Sequence, residues 1–465
     1  MKLRSKDLTK LGVADNVARS LALDAAAHWC KHDSVGTIML KIANVVSSPQ
    51  DFYDDYVWGK FARAIKPEKT QEVESKEYDL FSEPKELNIF GQGIIETDAI
   101  RQMELVLRLP ISVKGALMPD AHAGYGLPIG GVLAADRAVI PYGVGLDIGC
   151  GMMLTVLDAK ADFVKRYSSR IERVLLEWTH FGMEGGLAVR QDHEVMVRDE
   201  WHEISLLKRL QRKAWQQLGS SGGGNHFVEI GVLDVYANNG LGLPEGEYVA
   251  LLSHSGSRGL GAEIAKYYVQ LAHEQCMLPR SASHLVWLGL DTEAGAEYWR
   301  CMKLAIDYAT ACHECIHANI VRNMGLRPVA STCSHHNMAS EEMVDGRMVI
   351  VHRKGAVDAQ QGKLSIIPGS MSTAGYLVMG KGYADSLNSA SHGAGRAMSR
   401  ADAAGRFTMS AMRKQLKERG ITLLGGSVEE CSDAYKDIET VIASQSMIID
   451  VQGRFMPKIV RMNDK

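Results

Sequence analysis

Long apolar runs are missing from these 465 residues: no stretch of about 18 uncharged apolar residues occurs, which excludes a helical membrane span. The N-terminal MKLRSKDLTKLGVADN also lacks the apolar core of a secretory leader, so a cytoplasmic location and no membrane partner are expected. Charge of one sign is lacking as well. With 52 Lys and Arg against 55 Asp and Glu, the net charge is -3, and any nucleic-acid contact must come from a local cationic cluster. The eight cysteines are spread from Cys30 to Cys431 and form no dense disulfide framework, so reduced thiols are expected. Neither a repeat of fixed period nor a low-complexity segment is present.

What is present is a 46% hydrophobic composition, enough for a substantial core. Residues 1 to about 65 read as helices, VARSLALDAAAHWCKH and VGTIMLKIANVV, and the charged stretch 66–79 reads as a linker. The expected division is therefore a helical N-terminal extension with its linker over 1–80 and a catalytic domain over 81–465. From Leu87 onward, short apolar runs such as GALMP, GGVLAA and MMLTVL alternate with glycine turns and read as strands. Helices are expected in AIRQMELVLRL, EISLLKRLQRKAWQQL, AEIAKYYVQLAHEQ, Ala294–Asn323 and Ala401–Glu418. The fold class expected is α+β.

Chemistry concentrates in PDAHAGYGLPIGGVLAADRAVIPYGVGLDIGCGM, where glycines surround Asp120, His122, Asp147 and Cys150. Asp147 and Cys150 offer one hard oxygen and one soft sulfur three residues apart, a pair that suits Mn²⁺, Zn²⁺ or Fe²⁺ better than Mg²⁺ or Ca²⁺. Taken alone, Cys150 reads as a small buried hydrophobe. Its companions change that reading: His226 in GGGNHF, His254 in LSHSGSRG, and one of His335 and His336 in SHHN complete five ligands, all expected in loops. Five ligands with a thiolate able to bridge fit two ions. Arg258, Arg353, Lys354, Arg396 and Arg400 lie in the same group of motifs and suit a polyanionic substrate. His392 in SHGAGR is then either a sixth ligand or a nucleophile for a phosphoryl or nucleotidyl group, with Asp120 as its carboxylate partner. By contrast, Cys312-His313-Glu314-Cys315 with His317 lies in a helical stretch and reads as packing.

PDAHAGYGLPIGG, GVGLDIGCGM, GGGNHFVEIG, HSGSRGLG, HHN, RKGAV, IIPGSM, SHGAGRAMSR and AYKDIETV, in this order, resemble the RtcB family of RNA ligases from about Leu87 to the C-terminus. The resemblance implies an RtcB-like fold of mixed sheets and glycine-rich loops. It implies GTP and two Mn²⁺ ions as cofactors, and RNA with a 3′-phosphate or 2′,3′-cyclic phosphate end and a 5′-hydroxyl end as substrate. His392 would take the guanylate, oriented by Asp120. Asp147, Cys150 and His226 would hold one ion, and Cys150, His254 and His336 the other. Asn225, Glu229, His335, Lys354, Ser370, Gly393, Arg396 and Tyr435 would bind the nucleotide, and Arg258 a phosphate of GTP or RNA. An activating protein is compatible with this scheme, and the chain is expected to act as a monomer. Two nucleotide-side positions depart from the family pattern. Met462 stands five residues after Pro457 where lysine is common, with Arg461, Lys458 or Lys465 as substitutes, and Gly375 replaces a serine often found five residues after Ser370. The same residues also suit a dinuclear metal phosphoesterase, or an RNA-end binding or capping protein that does not ligate.

Overall fold

The computed structural model describes residues 3–13, 15–31, 33–65, 75–182, 186–187 and 189–464. The chain forms two compact units, Met1–Glu74 and Ser75–Lys465. Residues 66–74 of the charged stretch lie outside the described residues.

The first unit is helical, as the periodicity predicts. Asn16–Trp29 is capped by the Asp15 carboxylate, which accepts from the Ala18 amide at 2.8 Å, and Val35–Ser47 by Ser34, which accepts from the Thr37 amide at 3.1 Å. Their apolar faces meet around Leu8, Ala22, Ile42, Val45 and Phe61, all essentially inaccessible to water.

The second unit is α+β. An eight-stranded sheet runs in the order Pro328–His335, Gly151–Leu157, Gly246–Ser255, Phe227–Val235, Ile449–Asp464, Gly375–Gly380, Leu364–Ile367, with Thr422–Gly426 added in parallel to the long C-terminal strand. A five-stranded sheet runs Asn337–Val344, Arg347–Lys354, Ile129–Ala135, Ser112–His122, Leu87–Ile89. His336 is the single residue between the edge strand of one sheet and the edge strand of the other. Near-continuous apolar sequences such as GALM and GGVLAA form strands buried on both faces.

The helix Glu293–Met324 has its N-terminus capped by Thr292 and ends at Gly325, which takes the left-handed conformation. Its Cys312-x-x-Cys315 segment is buried and serves packing. One helical turn of it presents His313 Nδ1 and His317 Nε2 to the Ser253 hydroxyl at 2.6 and 2.7 Å. Three expectations change. STCSHHNMA is extended, forming the ends of two strands; His254 lies within a strand; and Ala401–Glu418 divides into Arg400–Arg406 and Met409–Glu418, the second started by Thr408 accepting from the Ala411 amide. In each case cross-strand pairing or a cap outweighs the local glycine and serine signal.

Candidate active site

Strand register gathers the ligand types. Gly151 pairs with Ser255 and with His335, Met152 with His254, and His254 with Phe227. Cys150, His226, His254 and His336 therefore stand side by side at one end of the large sheet, each on or next to a different strand. Cys150 Sγ lies 3.3 Å from His226 Nε2 and 3.2 Å from His254 Nε2. His254 Nε2 lies 3.4 Å from His336 Nε2, and His226 Nε2 lies 3.2 Å from Asp147 Oδ2. Two groups result, Cys150–His254–His336 and Asp147–Cys150–His226, each with its ligand atoms within 4.8 Å of one another. Cys150 belongs to both.

The donor set passes a physical test for metal. Burial lowers His254 to about 3 and puts His336 well below the usual imidazole range, so both rings are neutral and offer lone pairs. Burial would raise Asp147, but its hydrogen bond to His226 and the charge there hold it below the ordinary carboxylate value. Burial and the Asp147 charge push the Cys150 thiol up, a thiol that a bound cation would deprotonate. His336 Nδ1 is buried without a hydrogen-bond partner among the described residues. Gly256 permits the close approach of the HSGSRG loop, because a Cβ there would fall 2.2 Å from Asp147 Oδ1.

Next to this cluster stands His392, its ring 4.8 Å from that of His336. Asp120 Oδ2 accepts from His392 Nδ1 at 2.6 Å, from the His392 amide at 3.0 Å and from the Gly393 amide at 3.3 Å. Asp120 is fully buried; burial raises its carboxyl, and the electrostatics and hydrogen bond of His392, with His122 and Lys436, together outweigh this to hold it low. The Lys436 ammonium donates to the Pro119 and Ala121 carbonyls on either side of Asp120. Only glycine serves at Gly395, with φ at +73° and a would-be Cβ 2.2 Å from the Asp120 carbonyl.

A cavity of about 510 Å³ opens from His254, His336 and His392. Its wall contains Asn225, Glu229, Ser370, Gly393, Arg396 and Tyr435 among the residues singled out from sequence. Arg396 donates to the Glu429 carbonyl at 2.8 Å and stands 5.2 Å from the centre of the Tyr435 ring. Glu430 ties this end together. One carboxylate pairs with Arg396 and Arg400 and accepts the Tyr435 hydroxyl, from a buried position. Sequence reasoning missed it, since nothing in VEEC distinguishes Glu430 from its neighbour. The arginines of the described wall are Arg396 and Arg400, and no lysine is among its residues. Met462 and Gly375 line it, while Arg461 donates to the Leu424 and Met462 carbonyls and Lys465 lies outside the described residues.

The remaining residues stand elsewhere. His335 engages the Gly149 carbonyl at 2.8 Å and the Thr310 hydroxyl at 2.9 Å, using both ring nitrogens on protein partners. Arg258 has φ at +59°, an uncommon conformation for a side chain of its size, and donates to Ser220 and to the Gly182 carbonyl. Lys354 lies outside the cavity wall, beside Gly145. Arg353 is not an anion site: it is wholly buried and bound to Glu342, Ser340, Ser389 and two carbonyls, because a fixed guanidinium satisfies five acceptors at once.

The Glu229 carboxyl, buried on a central strand, makes no hydrogen bond among the described residues, and burial raises it to about 8. A raised acid contributes full stability below its unfolded value and loses it as pH rises toward the folded one. The nucleotide-free protein should therefore lose about 2.5 kcal/mol between pH 5 and 7 from this group. Thermal unfolding of Glu229→Gln should be flatter over that range, and parallel pH profiles for the two proteins would refute the assignment.

A profile of the family described as tRNA-splicing ligase RtcB matches residues 102–203 and 163–462. The chain is 30% identical over 404 residues to RNA-splicing ligase RtcB of Escherichia coli (strain K12), a match covering 80% of this chain and 96% of that relative. It is 31% identical over 434 residues to tRNA-splicing ligase RtcB of Thermococcus kodakarensis, covering 77% and 89%. With the protein of the same description from Methanococcus maripaludis it shares 31% over 420 residues, covering 75% and 87%.

Proposed function

The chain belongs to the RtcB family and is an RNA ligase, and from that premise we propose that it works with GTP and Mn²⁺ through a guanylylated histidine. It joins an RNA 3′-phosphate or 2′,3′-cyclic phosphate end to a 5′-hydroxyl end, in RNA repair or tRNA splicing. The observation that carries this reading is the His392–Asp120 pair at 2.6 Å, at the mouth of a nucleotide-sized cavity and beside the Cys–His cluster.

Asp120 accepts the proton on Nδ1, so the lone pair of His392 is on Nε2 and free to attack the α-phosphorus of GTP, breaking the α–β phosphoanhydride bond with pyrophosphate as the leaving group. A 2′,3′-cyclic end is first opened by water to a 3′-phosphate; a 3′-phosphate oxygen then takes the guanylate, breaking the Nε2–phosphorus bond, and the 5′-hydroxyl attacks that activated end, releasing GMP. Asp147, Cys150 and His226 would hold one Mn²⁺ and Cys150, His254 and His336 the second. Ions held there would neutralise phosphate charge and polarise the phosphorus under attack. Arg396, Tyr435, Asn225, Glu229, Ser370 and Gly393 hold the nucleotide, Arg258 and Lys354 act on phosphates, and His335, with both ring nitrogens on Gly149 and Thr310, positions the chain beside His336 instead of touching a phosphate.

Intact-protein mass after incubation with Mn²⁺ and GTP tests the reading, with ATP in parallel and His392→Ala as control. A GMP-sized adduct absent from the variant is expected. An AMP adduct would keep the mechanism and move base preference away from guanine, in line with a cavity wall holding methionine where lysine is common. No adduct with either nucleotide would favour a phosphoesterase using water, for which the His392–Asp120 pair has no role.

A further inference from the structure

Tyr125 is an aromatic side chain 60% exposed to solvent, yet its loop is held rigidly. The Gln102 side-chain amide donates to the Gly124 carbonyl at 2.7 Å and the Gly126 carbonyl at 2.6 Å, and its oxygen accepts from the Gly124 amide. Both flanks of Tyr125 are thereby fixed. The Tyr142 ring meets it edge-on at 4.7 Å, and the His284 ring lies tilted against it at 5.6 Å. Cations stand alongside. Lys266 is exposed near Tyr142, where its ammonium also pairs with Glu263 at 3.1 Å on the surface, and Lys354 lies near His284 with its ammonium making no ion pair among the described residues.

This cluster adjoins the reaction centre without lining the nucleotide cavity. Tyr125 follows His122 and Ala123, which reach the cavity wall, by only a few residues. Lys354 precedes Gly355, where a Cβ would lie 3.1 Å from His392 Cε1, and its own chain rests against Gly145. The Asn337 side chain bonds both the Gly355 amide and the Asp147 carbonyl, so this side is braced to the metal-ligand loop. A pre-ordered ring beside positive charge, with the Lys354 ammonium making no ion pair among the described residues, fits a nucleobase and its phosphate, since stacking tolerates any base and the cations follow the backbone.

Resting on the ligase reading above, we propose that Tyr125, with Tyr142 and His284 behind it and Lys354 and Lys266 beside it, is the platform on which a single-stranded RNA end stacks to reach His392. The nucleotide occupies the cavity, and the RNA approaches over Tyr125, which is not part of the cavity wall. A pre-ordered platform avoids the entropy of fixing a loop on binding.

The test measures fluorescence anisotropy of two labelled ten-nucleotide RNAs, one ending in 5′-hydroxyl and one in 3′-phosphate, on the full chain, Tyr125→Ala and Tyr125→Phe. Tyr125→Ala should weaken binding of at least one RNA by about tenfold, with Tyr125→Phe close to the native protein, and the end affected identifies the strand that stacks here. In joining assays the loss should appear mainly in KM for that RNA. Binding of both RNAs within twofold of the native protein in Tyr125→Ala overturns the proposal, as does native protein that binds neither. The mass adduct on the native protein separates the two readings: an adduct with unchanged Tyr125→Ala binding sinks the platform and leaves the ligase, whereas no adduct and no joining sinks the ligase.

Discussion

Asp120→Asn should lower guanylate transfer to His392 by about 10³- to 10⁴-fold, measured as the rate of adduct formation by mass. The carboxylate has two tasks. Its Oδ2 selects the tautomer by accepting from Nδ1, and its charge stabilises the imidazole as Nε2 becomes bonded to phosphorus. An asparagine fails either way it turns. With its NH₂ toward Nδ1, the ring must carry its proton on Nε2 and the nucleophilic lone pair is lost. With its oxygen there, the charge is gone and the NH₂ occupies the place of Oδ1, which is buried with no partner among the described residues. His392→Ala should remove the adduct altogether. A tenfold or smaller effect of Asp120→Asn would mean that Asp120 holds the loop, through the His392 and Gly393 amides, and not the tautomer.

Arg353→Ala should cost about 3–5 kcal/mol of stability by chemical denaturation, the largest structural effect expected of a single substitution here. Its guanidinium is fully buried, lies 2.5 and 3.2 Å from the two oxygens of Glu342, and also donates to Ser389 and to the Leu387 and Asn388 carbonyls. Removing it strands the Glu342 charge in the interior. The double variant Arg353→Met with Glu342→Leu should recover much of the loss, because no charge is then left buried. It should not recover all of the activity. Leu387 and Asn388 take φ of +52° and +50°, and this turn leads into Ser389–Ser391 and directly to His392. Loss of less than 1 kcal/mol in Arg353→Ala would show that the pair is easily replaced by water.

Arg353 also marks a limit of sequence reading. In HRKGAV it has the same appearance as Lys354, yet one side chain is sealed between strands and the other stands beside the reaction centre with an unpaired ammonium. Strand alternation puts neighbours on opposite faces, and only the second layer decides which face is buried. His335 and His336 divide in the same way, one bound to Gly149 and Thr310 and the other turned to His254.

The sequence by itself determined the α+β class, the helical first unit and the Asp, Cys and His residues that the structure gathers into two clusters able to hold a metal. Periodicity, caps and residue chemistry act over a few residues, and such local terms are written directly into the chain. It also carried the pairing of Asp120 with His392, through chemical need alone. Tertiary structure decided the rest: that Cys150 belongs to both clusters able to hold a metal, that Glu430 pairs with two arginines and accepts the Tyr435 hydroxyl, and that Gln102 fixes the loop of Tyr125. Each depends on strand register or on side chains brought together from more than 20 positions away, such as Glu430 with Arg396 and Gln102 with Gly124. The energy that brings them together comes from burying whole sheets, which no single motif encodes.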